Sequence, residues 1–213
     1  MTRKNACLAI LGLLLLSGCT LFTPPSMELG ILFEDSFDES ITDWPTYENV
    51  NQRWWIEGGH YNVLVKTPHQ SMTSWRTQVG SFGNFRLELE AEQVSGPDNN
   101  AYGVLFRVID DDNYYCFYIT GDSYVGLKKK VAGQFVVLFP ELLSYFVHWG
   151  NDVNLLAVIA DGDQLEFFVN GESHFTITDT AFAAGGIGMM AEMRTTPGQT
   201  HIAFDNMVLH ELP

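Results

Sequence analysis

Residues 102–119, YGVLFRVIDDDNYYCFYI, decide the fold of this chain. Two apolar runs, rich in aromatic and β-branched side chains, flank three aspartates and an asparagine. Such runs are typical of β-strands, and Asp and Asn are typical of the tight turn between them. The stretch therefore predicts a β-hairpin whose turn lies at residues 110–113.

The pairing of the two runs predicts which side chains share a surface. We predict that Ile109 faces Tyr114 across the turn. Arg107 then lies opposite Cys116, on the same surface as Tyr118. The alternate positions are large and apolar or aromatic, which suits the buried space between two sheets: Val104, Phe106, Val108, Tyr115, Phe117 and Ile119. The surface with Arg107 is therefore the better candidate for an open, concave face.

The three aspartates also admit a calcium site or a catalytic acid cluster. An EF-hand loop needs a glycine and a terminal glutamate at fixed spacing, and both are missing here. Asp and Asn side chains cap tight turns by bonding to nearby backbone. We therefore predict that the aspartates form the turn.

The rest of the sequence predicts an all-β chain. Short apolar or alternating runs recur between Gly, Asp, Asn and Pro, and no convincing long amphipathic helix appears after residue 31. Asn170-Gly171 is a strong hairpin signal, because both residues tolerate positive φ. About a dozen strands predict a two-sheet antiparallel β-sandwich of the jelly-roll type, with a closed barrel as the alternative. They are residues 54–57, 61–66, 85–93, 102–109, 114–120, 124–131, 135–139, 155–160, 165–169, 174–178, 186–193 and 200–212.

The first residues have the pattern of an exported protein. Arg3 and Lys4 precede an apolar run at 6–16, which is too short to cross a bilayer but fits a secretory signal. The run ends in Leu16-Ser17-Gly18-Cys19, which resembles the lipobox of bacterial lipoproteins. That resemblance implies lipid on Cys19 and an extracytoplasmic, membrane-anchored location in the cell envelope. The alternative is an ordinary cleaved signal with a coincidental cysteine.

This pattern divides the chain into three parts. We predict a signal peptide at 1–18, the lipidated cysteine with a short tether at 19–31, and a single β-sandwich domain at 32–213. The formal net charge of the chain is −15 at pH 7. Such an acidic surface argues against nucleic acid and other polyanions as partners. Neutral glycans, cations and basic proteins remain.

Four segments resemble the concanavalin A-like lectin/glucanase superfamily, and within it the LamG-like jelly rolls of DUF1080 proteins. They are residues 102–119, 154–172 (NLLAVIADGDQLEFFVNGE), 185–192 (GGIGMMAE) and 202–212 (IAFDNMVLHEL). The resemblance implies two curved sheets with ligands on the concave face or the rim loops. We therefore expect a non-catalytic domain that binds a neutral glycan or cell-surface polysaccharide. The alternatives are a glycoside hydrolase of the 3-keto-disaccharide hydrolase or glucanase type, and a structural or protein-interaction module.

The predicted ligand-binding residues are Arg107, Tyr114 and Tyr118, with Lys128 or Lys129 from the next strand. Aromatic rings suit the apolar faces of sugars, and a guanidinium supplies fixed hydrogen-bond donors. The register of the turn at 120–123 decides which lysine joins them. The alternative is that an acid neutralises Arg107 and that the tyrosines only cover the sheet.

Two further groups of residues bear on function. Trp75 and Trp149 fall in probable loops, where a lectin-like rim would hold them. Glu88, Glu90 and Glu92 resemble the Glu-x-Asp-x-Glu motif of laminarinase-like hydrolases, but the central aspartate and the upstream tryptophan are missing. Because the run also reads as a simple alternation of apolar and charged residues, we assign no catalytic residue.

A structural calcium ion is the one cofactor that the resemblance implies. In related jelly rolls, acids near the first and last strands share a calcium ion, and Asp35 and Asp205 lie at such positions. Hard oxygen ligands suit calcium. The alternative is that Asp205 only bonds to backbone.

Overall fold

The computed structural model of this protein describes residues 30–38, 43–76, 80–195 and 198–212. Cys19 and the predicted signal peptide lie outside these ranges. No helix among the described residues is long and apolar enough to cross a membrane. The described residues form the strands β1 Ile31–Asp35, β2 Tyr47–Glu48, β3 Gln52–Glu57, β4 His60–Val65, β5 Gln70–Trp75, β6 Phe85–Ser95, β7 Ala101–Asp110, β8 Asn113–Thr120, β9 Tyr124–Val131, β10 Gln134–Leu143, β11 Asn154–Asp161, β12 Gln164–Val169, β13 Glu172–Thr178, β14 Gly186–Met193 and β15 Thr200–Glu211.

The strands form two antiparallel sheets that pack as a β-sandwich, which confirms the predicted fold class. The larger sheet has nine strands, in the order β13-β12-β11-β6-β15-β4-β3-β2, with β1 paired to β15. The smaller sheet has six, in the order β10-β9-β8-β7-β14-β5. Strands that are distant in sequence are therefore neighbours, as β7 and β14 are.

The main core lies between the sheets, and the alternation within each strand decides what enters it. In β6, Phe85, Leu87 and Leu89 are fully buried in the main core. The intervening Arg86 and Glu88 point outward and form a salt bridge at 2.6 Å. This period of two is what a sheet with one buried face requires.

One turn and one edge strand show how local residues decide the strand ends. Asn170 and Gly171 have φ values of 53° and 84°, and Val169 pairs with Glu172 across them, which confirms the predicted hairpin. β10 continues past Pro140 to Leu143, whereas the sequence predicts a strand only over 135–139. Proline is tolerated there because β10 is an edge strand, so a missing N–H need not break a ladder between two neighbours.

Candidate functional site

The outer face of the six-stranded sheet, which points away from the main core, carries a second buried cluster. β7 and β8 are buried on both faces, unlike the half-exposed strands of a simple sandwich. Their outward side chains must therefore be covered by other residues of the same face. The cluster consists of Ala101, Leu105, Val108, Tyr114, Cys116, Tyr118 and Met190, with Trp75 packed against it.

The turn between β7 and β8 is built by its aspartates, as predicted. Asp110 pairs with Asn113, so that Asp111 and Asp112 form the tip. Asp110 Oδ1 accepts hydrogen bonds from the Asn113 side-chain amide and from the Asp112 N–H, both at 2.8 Å. These two bonds lower the pKa of Asp110. Asp112 pairs with Lys130 at 3.0 Å, so two of the three carboxylates serve the turn and its neighbouring strand.

The structure corrects the predicted position of Arg107. A bulge lies between Phe106 and Asp110, so Leu105 pairs with Cys116 where the sequence predicts Arg107. Arg107 itself has a φ of 47° and is 1% exposed. Its guanidinium donates to the carbonyl oxygens of Gly83, Gly162 and Phe182 at 2.7, 2.8 and 3.1 Å.

Arg107 therefore ties β7 to three other segments of the chain and is not displayed on the open face. The same bulge carries Val108 to the outer face, where it joins the second cluster. The other predicted faces are found: Tyr115, Phe117 and Ile119 lie in the main core, and Tyr114 and Tyr118 on the outer face. Whether these two tyrosines bind a ligand stays a prediction.

The pairing of β8 with β9 decides between the two lysines. Cys116 pairs with Lys128, which therefore lies on the outer face, whereas Lys129 pairs with Tyr115 and points the other way. Lys129 Nζ lies 2.6 Å from Asp179 Oδ2, and the Tyr115 hydroxyl donates to Asp179 Oδ1 at 2.5 Å. Lys129 is thus a structural partner at the inner side of the sheet.

Charged side chains lie over Tyr118 on the outer face. Its ring has Lys128 Nζ at 5.2 Å and the Arg194 guanidinium at 5.6 Å from its centroid. The ring lies across Gly126, where a Cβ atom would come within 2.5 Å of the phenol. These contacts explain why Tyr118 is only 5% exposed, and the same burial raises the pKa of its phenol. The Tyr118 ring therefore lies beneath these charged side chains and is not open for a ligand to stack on.

The charges over the Tyr118 ring form a closed network. Glu192 Oε2 lies 2.9 Å from Lys128 Nζ, and its other oxygen lies 3.7 Å from Arg194 Nε. Arg194 also pairs with Glu141 at 2.5 Å, and Glu141 accepts the Tyr118 hydroxyl at 3.0 Å. Burial alone would raise the pKa of Glu192, but Lys128 more than offsets it, so the pKa is lowered. Two acids and two bases thus neutralise each other.

A cleft of about 420 Å³ opens at the β5 edge of the same face, at the opposite end of β14 from Glu192. Trp75 and Ile109 line it together with the backbone of Gly185 and Gly186. The Trp75 indole N–H donates to Asp111 Oδ1 at 2.8 Å, which fixes the orientation of the ring. The cleft therefore combines an oriented aromatic side chain with the polar side chains of Ser81 and Arg76.

Glu88, Glu90 and Glu92 lie outside this cleft, on the outward side of the nine-stranded sheet. Glu88 is paired with Arg86, and Glu90 Oε2 accepts a bond from the Asn206 side-chain amide at 3.0 Å. The cavity beside Glu90 and Glu92 has a volume of only about 20 Å³. That volume is too small for a sugar ring.

The described residues do not assemble a calcium site around Asp35 and Asp205. Asp35 accepts the Phe37 N–H at 2.9 Å and the Trp44 indole N–H at 3.0 Å, one on each oxygen. Asp205 accepts the N–H of Asn206 at 2.7 Å, as the alternative interpretation expects. Within the described ranges, no three His, Cys, Asp or Glu side chains come together as a metal site. Calcium binding stays an untested prediction.

Sequence reasoning missed three residues of the outer face: Glu141, Glu192 and Arg194. Glu141 lies just beyond the predicted strand 135–139, and the sequence of β14 indicates an apolar strand with one acid near its end. Their meeting depends on β10 and β14 lying in one sheet, which no local signal reveals. Alternation in β14 could have placed Glu192 and Met190 on one face, but not beside Lys128.

Comparisons with known proteins show the fold. Neither a protein-family model nor a curated protein matches this sequence. Among solved structures, the carbohydrate-binding module CBM66 from Bacillus subtilis matches with a TM-score of 0.63 and 20% identity, over 80% of this chain and 96% of that one. A β-glucanase from Bacillus licheniformis matches with a TM-score of 0.64 and 11% identity, over 86% of this chain and 99% of that one.

The catalytic domain of an endo-1,3-β-glucanase from Thermotoga petrophila matches with a TM-score of 0.59 and 11% identity, over 86% of this chain and 98% of that one. This chain therefore has a jelly-roll sandwich fold that occurs both in a carbohydrate-binding module and in glucanases. At these identities the likeness shows the fold alone, and one fold hosts many functions.

Proposed function

We propose that this chain is a lipid-anchored lipoprotein of the cell envelope whose concanavalin A-like, DUF1080-type jelly roll at 32–213 binds a neutral glycan without transforming it. The single observation that carries the proposal is the cleft of about 420 Å³ beside Trp75, at the edge of the outer face of the six-stranded sheet. Tyr114, Tyr118 and Lys128 support the floor of that face.

The chemistry of the cleft suits a neutral sugar. Sugar rings have apolar C–H faces that pack on an aromatic side chain, and hydroxyls that need donors and acceptors at fixed positions. Trp75 supplies the ring, and Asp111 holds it in place through the indole N–H. Ser81 supplies a hydroxyl at the wall, whereas the backbone N–H and carbonyl of Gly185 are both bonded to Phe82. Arg76 also lines the cleft, and its guanidinium is paired with Asp43 at 2.9 Å.

The test is binding of wild type and Trp75→Ala to an array of neutral glycans, with the full chain in detergent. We expect wild type to bind at least one glycan, and Trp75→Ala to bind it about 10- to 30-fold more weakly, because losing one central aromatic contact costs about 1.4–2 kcal/mol. Titration by tryptophan fluorescence gives the dissociation constants.

Trp149→Ala is the matched control, because the Trp149 indole also donates to a carboxylate, Asp98, at 3.1 Å, and its ring is 68% exposed whereas that of Trp75 is half-buried. It should bind within about twofold of wild type. Absence of binding to every neutral glycan rejects the proposal. Equal binding by wild type and Trp75→Ala, or a loss in the Trp149 variant alone, removes the site from this face.

The anchor is tested separately. Replacing Cys19 by alanine removes the thiol that would carry the lipid, and several acyl chains hold a protein to a bilayer where one does not. We expect the variant to move from the membrane fraction to the soluble fraction of cells and to lose radiolabelled palmitate. A Cys116→Ala variant is the control and should stay in the membrane fraction. A Cys19 variant that keeps both properties contradicts the anchor.

A further inference from the structure

A serine and a histidine meet where the free edges of the two sheets come together. Ser144 follows β10, the edge of the six-stranded sheet, and His174 lies in β13, the edge of the nine-stranded sheet. Ser144 Oγ lies 2.7 Å from His174 Nε2. This pair is at the opposite edge of the six-stranded sheet from Trp75, so it is independent of the proposed glycan cleft.

The surroundings of the pair decide which atom carries the proton. His174 Nδ1 lies 2.8 Å from the carbonyl oxygen of Glu172, which can only accept, so Nδ1 carries the hydrogen. In the neutral ring, Nε2 is then an acceptor, and the Ser144 hydroxyl donates to it. This is the arrangement in which a histidine acts as base toward a serine, with a third group orienting the ring.

Ser144 is also held from the other side. The N–H of Phe146 donates to Ser144 Oγ at 3.2 Å, and the Ser144 N–H donates to the Ser123 carbonyl at 2.8 Å. These two bonds fix the position of the Ser144 hydroxyl. The Phe146 ring meets the His174 ring edge-on at 5.8 Å and restricts its rotation.

An apolar cleft of about 190 Å³ adjoins the pair. Its walls include Val125, Phe139, Leu142 and Phe175, and its rim includes Tyr145, which is 92% exposed. The volume is roughly six times the ~30 Å³ that one water molecule occupies in the liquid, which suits a short acyl chain. Exposed apolar surface of this kind marks a site that receives an apolar group.

We propose that Ser144 and His174 form a nucleophile and base that hydrolyse carboxylic esters of short apolar acids. Ser144 Oγ attacks the ester carbonyl carbon while its proton passes to His174 Nε2. The bond to the alcohol oxygen breaks, and the alcohol leaves with that proton. Water, deprotonated by the same Nε2, then attacks the acyl-serine and releases the acid, which returns the serine to its starting state.

The experiment uses the full chain in detergent, a fluorophosphonate probe and p-nitrophenyl butyrate. We expect the probe to label wild type at Ser144, located by mass spectrometry of the peptides. Hydrolysis should fall to background in Ser144→Ala and by roughly 100-fold or more in His174→Gln, because a positioned general base contributes at least that factor.

Ser36→Ala is the matched control, since Ser36 lies outside the cleft and its exposed hydroxyl donates to Asp38 at 3.0 Å. It should keep full labelling and hydrolysis. Urea unfolding midpoints close to that of wild type show that the Ser144 and His174 variants are folded. Absence of labelling above a heat-denatured sample, or equal labelling of Ser144→Ala and wild type, overturns the proposal. Glycan binding by Ser144→Ala is a separate readout, so failure of this proposal is distinguishable from failure of the proposed function.

Discussion

Arg107→Met is expected to lower the free energy of unfolding by about 3–5 kcal/mol, because each buried acceptor left without its donor costs about 1–3 kcal/mol. The Arg107 guanidinium donates hydrogen bonds to the carbonyl oxygens of three segments, at Gly83, Gly162 and Phe182. Methionine keeps an apolar stem of similar length but offers no donor. Urea unfolding followed by tryptophan fluorescence measures the change.

Arg53→Met is the control for the loss of an arginine as such. Arg53 is 45% exposed, and its partner Glu48 lies 3.8 Å away. Exposed pairs contribute at most about 1 kcal/mol, so this variant should unfold close to wild type. If Arg107→Met also unfolds within 1 kcal/mol of wild type, then Arg107 does not hold the three segments together.

Asp179→Ala is the second change for which we expect a large loss, about 2–4 kcal/mol at neutral pH. It leaves the ammonium of Lys129 without its partner, along with the Tyr115 hydroxyl and the N–H of Ala181. All three groups lie at the partly buried end of the sandwich, where an unpaired charge is costly. Urea unfolding at several pH values measures both the loss and its pH dependence.

The pH dependence has a definite sign. Burial alone would raise the pKa of Asp179, but the Lys129 ammonium and the Tyr115 hydroxyl outweigh it, so the pKa falls below the ordinary 3.8. A carboxylate with a lowered pKa contributes stability above its unfolded pKa, and that contribution is lost as the pH falls through the folded pKa. The gap between wild type and Asp179→Ala should therefore be full at pH 6 to 7 and shrink below about pH 4.

Asp112→Ala is the matched control, because Asp112 pairs with Lys130, the next residue of the same strand, at 3.0 Å. The Asp112 side chain is 62% exposed whereas that of Asp179 is 12% exposed. We expect a loss of less than about 1 kcal/mol. Equal losses in the two variants, or a gap that stays constant down to pH 3, would show that the Lys129–Asp179 pair has no special weight.

Local sequence signals predicted the layers of this fold well. The alternation of Tyr114 to Tyr118 assigned outer and inner positions correctly along β8, because the strand has a period of two and no irregularity. The aspartates and Asn170-Gly171 predicted their turns because the side-chain chemistry that makes these turns is local. Two stacked antiparallel sheets follow from these features.

The position of Arg107 could not be predicted from local sequence signals. The pairing of the strands next to the turn agrees with the prediction. The bulge before the turn, however, moves Val108 to the outer face and Arg107 away from it. The carbonyl groups that hold Arg107 in its position are 24 to 75 residues away in the sequence. A conformation stabilised by such distant partners cannot be inferred from the residues around it. The pairing of Glu141 with Arg194 could not be predicted for the same reason.

β5 was missed for a different reason. Gln70–Trp75 has the sequence QSMTSW, which is too polar to stand out as a strand. It forms because β14 offers a complete ladder of backbone partners from Gly188 to Met193. Its position at the sheet edge is also what brings Trp75 to the cleft.

Because Cys116 lies in the second cluster, the rate at which its thiol is alkylated measures a motion of the native protein. Cys116 is the one cysteine among the described residues; it is fully buried, and burial raises the pKa of its thiol to about 12. The thiolate is the reactive form. An alkylating reagent can therefore react only after the side chains that cover β8 on the outer face move apart and expose the thiol. The rate of alkylation at Cys116 therefore reports how often that layer opens, and a molecule seated on it would slow the reaction.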